Sequence, residues 1–157
     1  MIMKKLKYFI ILFFVISCGY TPIYQANQNL NLKLDEINFA GNKKLVRPIV
    51  RDIERLKNNK STNIFDLDIV AAKKESVASK DKKGNVLTYK IILEVNFNLK
   101  GKVNNKVFSR KFVKETTYNS MNNKFELSQY KLNLEKNLIS QILQDINIFL
   151  GTIGNDL

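Results

Sequence analysis

The chain of 157 residues has no histidine, no tryptophan and one cysteine, Cys18. With a single thiol no disulfide can close within it. Without histidine, no Cys/His metal site and no Ser/His or Cys/His catalytic pair can be assembled. Stability must therefore come from packing, for which the 45% apolar content is sufficient. Long apolar runs are also missing. The segment Tyr8 to Ile16 is nine residues, whereas a helix needs about 20 to cross a bilayer. Acidic residues are scarce, with 14 Asp and Glu against 26 Lys and Arg, for a formal charge of +12. A surplus of that sign suggests an anionic partner: nucleic acid, acidic lipid or a phosphorylated glycolipid.

What is present begins at the N-terminus. Lys4, Lys5 and Lys7 precede the nine apolar residues, and the small residue Ser17 precedes Cys18. Together these are the parts of a secretory signal. Residues 1–17 are expected to be removed, and with them three positive charges, leaving +9. A secreted address argues against nucleic acid as the partner. Val15-Ile16-Ser17-Cys18 resembles the bacterial lipobox, whose cysteine is diacylated before cleavage. On that resemblance Cys18 becomes the acylated first residue of the mature chain. It is anchored at about 0.8 kcal/mol per buried CH₂, without a membrane span. The lipid is covalent, and no other cofactor is expected. Gly19 stands where, in such lipoproteins, an aspartate favours inner-membrane retention, which points to the outer membrane of a two-membrane host, on its periplasmic side.

Residues 18–29 lack apolar periodicity and read as a lipidated tether, followed by one domain over 30–157. Leu30, Leu32 and Leu34 alternate with polar residues, and Ile37 and Phe39 resume one place out of phase, as in a strand with a bulge at Asp35-Glu36. After a turn at Ala40-Gly41-Asn42, Leu45, Val46, Ile49, Val50, Ile53 and Leu56 fall at helical spacing. Because proline is best tolerated in the first turn, Pro48 places the regular helix at about 47–58. Lys43, Lys44 and Arg47 then read as surface at its start. Phe65, Leu67, Ile69 and Ala71 form a second strand; Lys80 to Asn85 is a charged loop. Leu87 to Leu99, apolar at nearly every odd position, is a third strand wet on one face. Lys106 to Tyr118 is a fourth, its pattern interrupted by Arg110, which suggests an edge or a bulge. A final helix is expected over Gln129 to Leu150, capped by Ser128 and stopped by Gly151. Its apolar arc contains Leu132, Ile139, Ile142, Leu143, Ile146, Phe149 and Leu150. The opposite face holds Asn133, Asn137, Ser140, Gln144 and Asn147, polar but uncharged, a surface suited to a partner's wall or to solvent.

The order β-α-β-β-β-α implies an α+β two-layer sandwich, with two helices on one face of a four-stranded, mostly antiparallel sheet. Strands 1 and 2, joined through a helix, would form a right-handed crossover if parallel. Asp66 and Asp68 alternate on a strand's outer face, and nothing marks a catalytic carboxylate; the chain is not expected to be an enzyme.

Cys18-Gly-Tyr-Thr-Pro-Ile-Tyr24 resembles the opening Cys-Gly-Phe-Xaa-Pro-Leu-Tyr of the LPS-assembly lipoproteins of alphaproteobacterial type, the LptE family. The family's order of elements is the one read above. The resemblance implies an outer-membrane lipoprotein that plugs a large β-barrel of the LptD type in the translocon for lipopolysaccharide, with lipopolysaccharide itself a ligand. Its phosphates require cations. Two turns offer them, Lys80, Lys82 and Lys83 on one and Lys100, Lys102 and Lys106 on the next; the same lysines would equally keep the loops soluble. The competing reading is a lipoprotein adaptor of another envelope machine, serving barrel assembly or lipid trafficking.

Overall fold

A computed structural model describes residues 32–56, 60–103 and 105–155. The signal, Cys18, the tether and Leu30 lie outside the described residues. The elements are β1 (Lys33–Gly41), α1 (Lys43–Leu56), β2 (Ile64–Lys80), β3 (Val86–Gly101), β4 (Val107–Asn119) and α2 (Lys124–Asn155). The sheet runs β1-β2-β3-β4. β1 is parallel to β2, and the other pairs are antiparallel. The α+β order expected from the sequence is the one observed.

Alternation places Phe65, Leu67, Ile69 and Ala71 of β2 and Ile91 to Leu99 at odd positions of β3 on one buried face. Leu45, Val46, Ile49 and Ile53 of α1 close over it together with Leu138, Ile142, Ile146, Leu150 and Ile153 of α2, giving one core. The phase slip in β1 is real: Leu34 pairs with Phe65 and Ile37 with Leu67, so one extra residue is accommodated between them. In that gap the Glu36 amide donates to Asp66 Oδ1 at 3.2 Å. β4 is an edge strand, and its register with β3 is unbroken. Arg110 does not interrupt the alternation. It lies over the rings of Phe112 and Phe149, 5.6 and 5.3 Å from their centroids, so its stem covers apolar surface while its charge stays in water.

Four boundaries differ from expectation. The first helix starts at Lys43, four residues before 47, because Asn42 caps it. Asn42 Oδ1 accepts the Lys44 amide at 3.1 Å, and the Asn42 carbonyl accepts the amides of Leu45 and Val46. Pro48 consequently sits in the second turn, exposed, where it removes one backbone bond. Burial of four apolar side chains in α1 offsets that loss. The last helix is 32 residues long, with Asn123 rather than Ser128 at its start. Asn123 Oδ1 accepts the amides of Phe125 and Glu126, and Glu126 accepts from Asn123 Nδ2. Gly151 does not end it, because Ile153, two residues further on and only 3% exposed, docks in the core. Finally, β2 continues past Ala71 to Lys80 with charged residues facing the helices.

The titratable groups of this fold predict its pH dependence. Lys100 holds Asp68 below the ordinary carboxylate range, and Lys102, Asn85 and Lys74 do the same for Asp35, Asp81 and Glu94. A depressed carboxyl contributes stability that is present above its unfolded value and lost as pH falls through its folded value. Lys100 and Lys102 are raised by the bonds to their carboxylates, so their contribution is lost only as pH rises through their folded values. With no histidine to titrate between them, the urea midpoint is expected to be flat from about pH 5.5 to 9 and to fall below about pH 4. A change centred near pH 6.5 would contradict this.

Candidate functional site

The inward faces of the sheet and of α2 change character at the same level. On β2 the sequence of inward residues passes from Ala71, 1% exposed, to Lys73 and Glu75. On α2 the face that buries Leu138 and Ile142 carries Lys131 and Glu135 a turn or two earlier, at the i, i+3/i+4 spacing that keeps side chains on one side of a helix. These charges meet. Lys73 pairs with Glu135, Lys131 Nζ lies 2.7 Å from Glu75, and the Tyr118 hydroxyl donates to the same carboxylate. Tyr118 is 3% exposed, stacks on Tyr89 at 5.3 Å and lies under the Lys131 ammonium.

Burial would raise the Glu75 carboxyl, but the bonds from Lys131 and Tyr118 outweigh it and hold it below its ordinary value. Burial and the Glu75 carboxylate push the Tyr118 phenol far above its own. The phenol is therefore a fixed donor and Glu75 a fixed anion. Beside the network the same side of α2 lines a shallow groove of about 230 Å³, formed by Lys124, Leu127, Ser128, Lys131, Leu132 and Glu135. Leu132, expected in the core, is 42% exposed here because the sheet opposite has turned polar. The groove presents two leucines beside the Lys124 ammonium, with Lys131 already bonded to Glu75 and the Glu135 carboxylate paired to Lys73, a surface for the apolar part of an amphiphile whose anionic head meets Lys124.

The β2–β3 turn stands at this polar end of the sheet. Asp81 builds it: Oδ1 accepts the amides of Lys83 and Asn85, each at 2.8 Å, and Oδ2 accepts Asn85 Nδ2 at 2.9 Å. Gly84 takes the left-handed φ of +87° that closes the turn. Lys80, Lys82 and Lys83 project from this ordered frame, exposed, and among the described residues none of the three forms an ion pair with a carboxylate.

The second lysine group is differently placed. Lys100 Nζ lies 2.7 Å from Asp68, and Lys102 bridges Asp35 and Asp66 on the outer face of the sheet. Lys106 also has an interaction partner. The 16 residues of β3 separate the two turns, about 50 Å at the rise of a strand. The structure does not bring the six lysines together, and two of the second group are neutralised locally. Alternation read from sequence located Asp66 and Asp68 on the outer face but not the lysines they hold.

On α2 the uncharged face is exposed at Asn133, Asn137, Ser140 and Gln144. Asn147 belongs instead to the helix–helix contact, with Nδ2 3.5 Å from Asp52. The network of Lys73, Glu75, Tyr118, Lys131 and Glu135 was missed by sequence reasoning. Its signal was the end of the apolar alternation at Ala71 and the late start of the apolar stripe at Leu138. Among the described residues no helix is long and apolar enough to cross a membrane, and no group of three Cys, Asp or Glu could hold a metal ion.

No protein-family model matches the chain, and no curated protein matches it by sequence. Solved structures do. Rare lipoprotein B from Shewanella oneidensis superposes with a TM-score of 0.60 at 17% identity, over 78% of this chain and 97% of that one. A minor lipoprotein from Acinetobacter baumannii gives 0.57 at 9% identity, over 78% and 92%. Lipoprotein B from Nitrosomonas europaea gives 0.55 at 16% identity, over 76% and 84%. The fold of this chain is thus one that bacterial lipoproteins use.

Proposed function

We propose that the protein is an outer-membrane lipoprotein, acylated at Cys18, that plugs a β-barrel of the LptD type and takes part in delivering lipopolysaccharide to the cell surface. The observation that carries this reading is the coincidence of two independent features on one chain. The N-terminus ends in a lipobox-like cysteine followed by Gly19 to Tyr24, and the domain behind it has a fold seen in lipoproteins over nearly their whole length. The groove and the β2–β3 turn support a role for the polar end of the sheet in meeting a phosphorylated amphiphile. Its leucines suit acyl carbons, and the lysines of the turn suit phosphate oxygens. No bond is made or broken in this function; the protein binds and occludes.

The test is affinity capture of the tagged mature lipoprotein from detergent-solubilised envelope, with the partner identified by mass spectrometry. Recovery of a large outer-membrane barrel in about equal amount supports the reading. Recovery of another machine's subunits without such a barrel overturns it and favours an adaptor role. For the ligand, the K80Q/K82Q/K83Q protein is expected to bind purified lipopolysaccharide about tenfold more weakly, since three exposed contacts each contribute up to about 1 kcal/mol. The K100Q/K102Q protein is expected to bind nearly as well as the parent, because those ammonium groups already serve carboxylates.

A further inference from the structure

The solvent face of α1 carries charge mostly of one sign. With 100° per residue, Lys43, Lys44, Arg47, Arg51 and Arg55 fall in one arc of the helix opposite Leu45, Ile49 and Ile53, and all five are exposed. Arg47, Arg51 and Arg55 are spaced i, i+4, i+8, a row about 12 Å long. Glu54 is the one carboxylate in that arc, and no arginine of the row forms an ion pair among the described residues. Elsewhere the sheet's cations are largely spent on carboxylates: Lys74 and Lys111 on Glu94, Lys90 on Glu115, Lys114 on Asp145. Among the described residues much of the surplus positive charge therefore lies on α1 and on the β2–β3 turn.

We infer that this face of α1 docks on the anionic phospholipid headgroups of the membrane that holds the acyl chains, positioning the domain beside the bilayer before a protein partner takes it up. One chemical principle and two observations on the chain carry the inference. Guanidinium groups present planar forks that match phosphate oxygens in pairs. The segment from Cys18 to the first residue of β1, Lys33, is 15 residues and reaches at most about 50 Å, so an acylated chain keeps the domain within its own length of the lipid surface. And because β1 and β2 are parallel with Lys33 opposite Ile64, α1 must run back from the Gly41 end toward the end where the tether enters, which carries Arg55 toward the membrane side. A flexible tether alone fixes distance, and the arginine row adds orientation.

The inference rests on acylation of Cys18 and not on the identity of the barrel. Its test uses the acylated mature protein in vesicles of phosphatidylcholine, with or without phosphatidylglycerol. A fluorophore is carried on Glu54→Cys, the natural cysteine being blocked by lipid, and a headgroup-attached quencher reports proximity. Quenching is expected to be strong with phosphatidylglycerol, weak without it and reversed by salt. In R47Q/R51Q/R55Q the docking equilibrium is expected to fall about 100-fold, and in R47K/R51K/R55K, which keeps the charges but loses the paired forks, to fall by less than that. Circular dichroism should be unchanged in both, since the side chains are exposed. Equal quenching in the two vesicle types, or a glutamine variant that docks like the parent, overturns the inference. So does a glutamine variant that loses capture of a barrel while its vesicle quenching persists, because the row would then serve a protein. A mature chain that mass spectrometry finds unacylated overturns this inference and the proposed function together; failed docking by an acylated chain overturns the docking alone.

Discussion

Substituting Gly41 by alanine is expected to destabilise the domain severely. Gly41 ends β1 with φ at +87°, a region in which an L side chain is strained by about 1–2 kcal/mol. The close approach matters more. A Cβ built on Gly41 would stand 2.1 Å from the Ala71 carbonyl oxygen and 3.1 Å from its carbon. That oxygen cannot yield cheaply, because it accepts the Asn42 amide at 2.8 Å and belongs to the central strand β2. Relief requires moving either β2 or the β1–α1 corner, and the corner includes the cap that starts α1. Strain, a lost backbone bond and a displaced cap together amount to about 3–5 kcal/mol, a large part of the 5–15 kcal/mol that holds a domain of this size. The apparent melting temperature should fall by at least about 10 °C. Gly84 supplies the control, having the same φ of +87° with nothing within 4 Å of its Cβ. G84A should cost only the conformational strain, and near-equal losses for the two variants would refute the steric argument.

The same corner shows why some boundaries were legible and others were not. Strand identity followed from alternation: every inward residue from Ile91 to Leu99 is buried, because period 2 admits one placement relative to a single core. The bulge at Asp35-Glu36 was visible for the same reason, as a slip in phase. Helix starts were not, because capping competes with composition. Pro48 argued for a late start and Asn42 secured an early one; Ser128 looked like a cap, yet Asn123 bonds two amides. Likewise Gly151 is a poor helix former by about 1 kcal/mol, less than the burial of Ile153 returns.

The site was less legible than the fold. Lys82 and Lys83 are exposed, as a charged turn should be, but the sequence could not show that Lys100 and Lys102 are held by Asp68, Asp66 and Asp35. These pairs join residues 32 to 67 positions apart, across strands whose register no local pattern specifies. The Glu75 network was hidden for a related reason. Its members come from β2, β4 and α2, and each reads alone as an ordinary surface residue.

Phe97→Ala is expected to cost about 3–5 kcal/mol and to loosen α2 before the sheet unfolds. Phe97 is 0% exposed at the centre of β3, and its ring meets Phe112 and Phe149 edge-on, at 6.2 and 6.1 Å with interplanar angles of 81° and 84°. Phe112 and Phe149 close the triangle at 5.9 Å. Three elements, β3, β4 and α2, are therefore fastened through one aromatic cluster with Arg110 over its outer side. Removing the central ring leaves a cavity under Phe149, and the apolar stripe of α2 loses its ring contact with β3 while the β2–β3 ladder of hydrogen bonds remains. Hydrogen exchange should accordingly speed up most along α2 and least in β2 and β3. R110A removes only an exposed cation–π contact, worth about 0.5–1 kcal/mol, and should leave α2 protected. A double-mutant cycle of Phe97→Ala with Phe149→Ala isolates the pair. A coupling near zero would mean that α2 is held by Ile142, Ile146 and Leu150 rather than by the rings. The distinction matters for the groove, since Lys124 to Glu135 stay opposite Lys73, Glu75 and Tyr118 only while the distal half of α2 is clamped to the sheet.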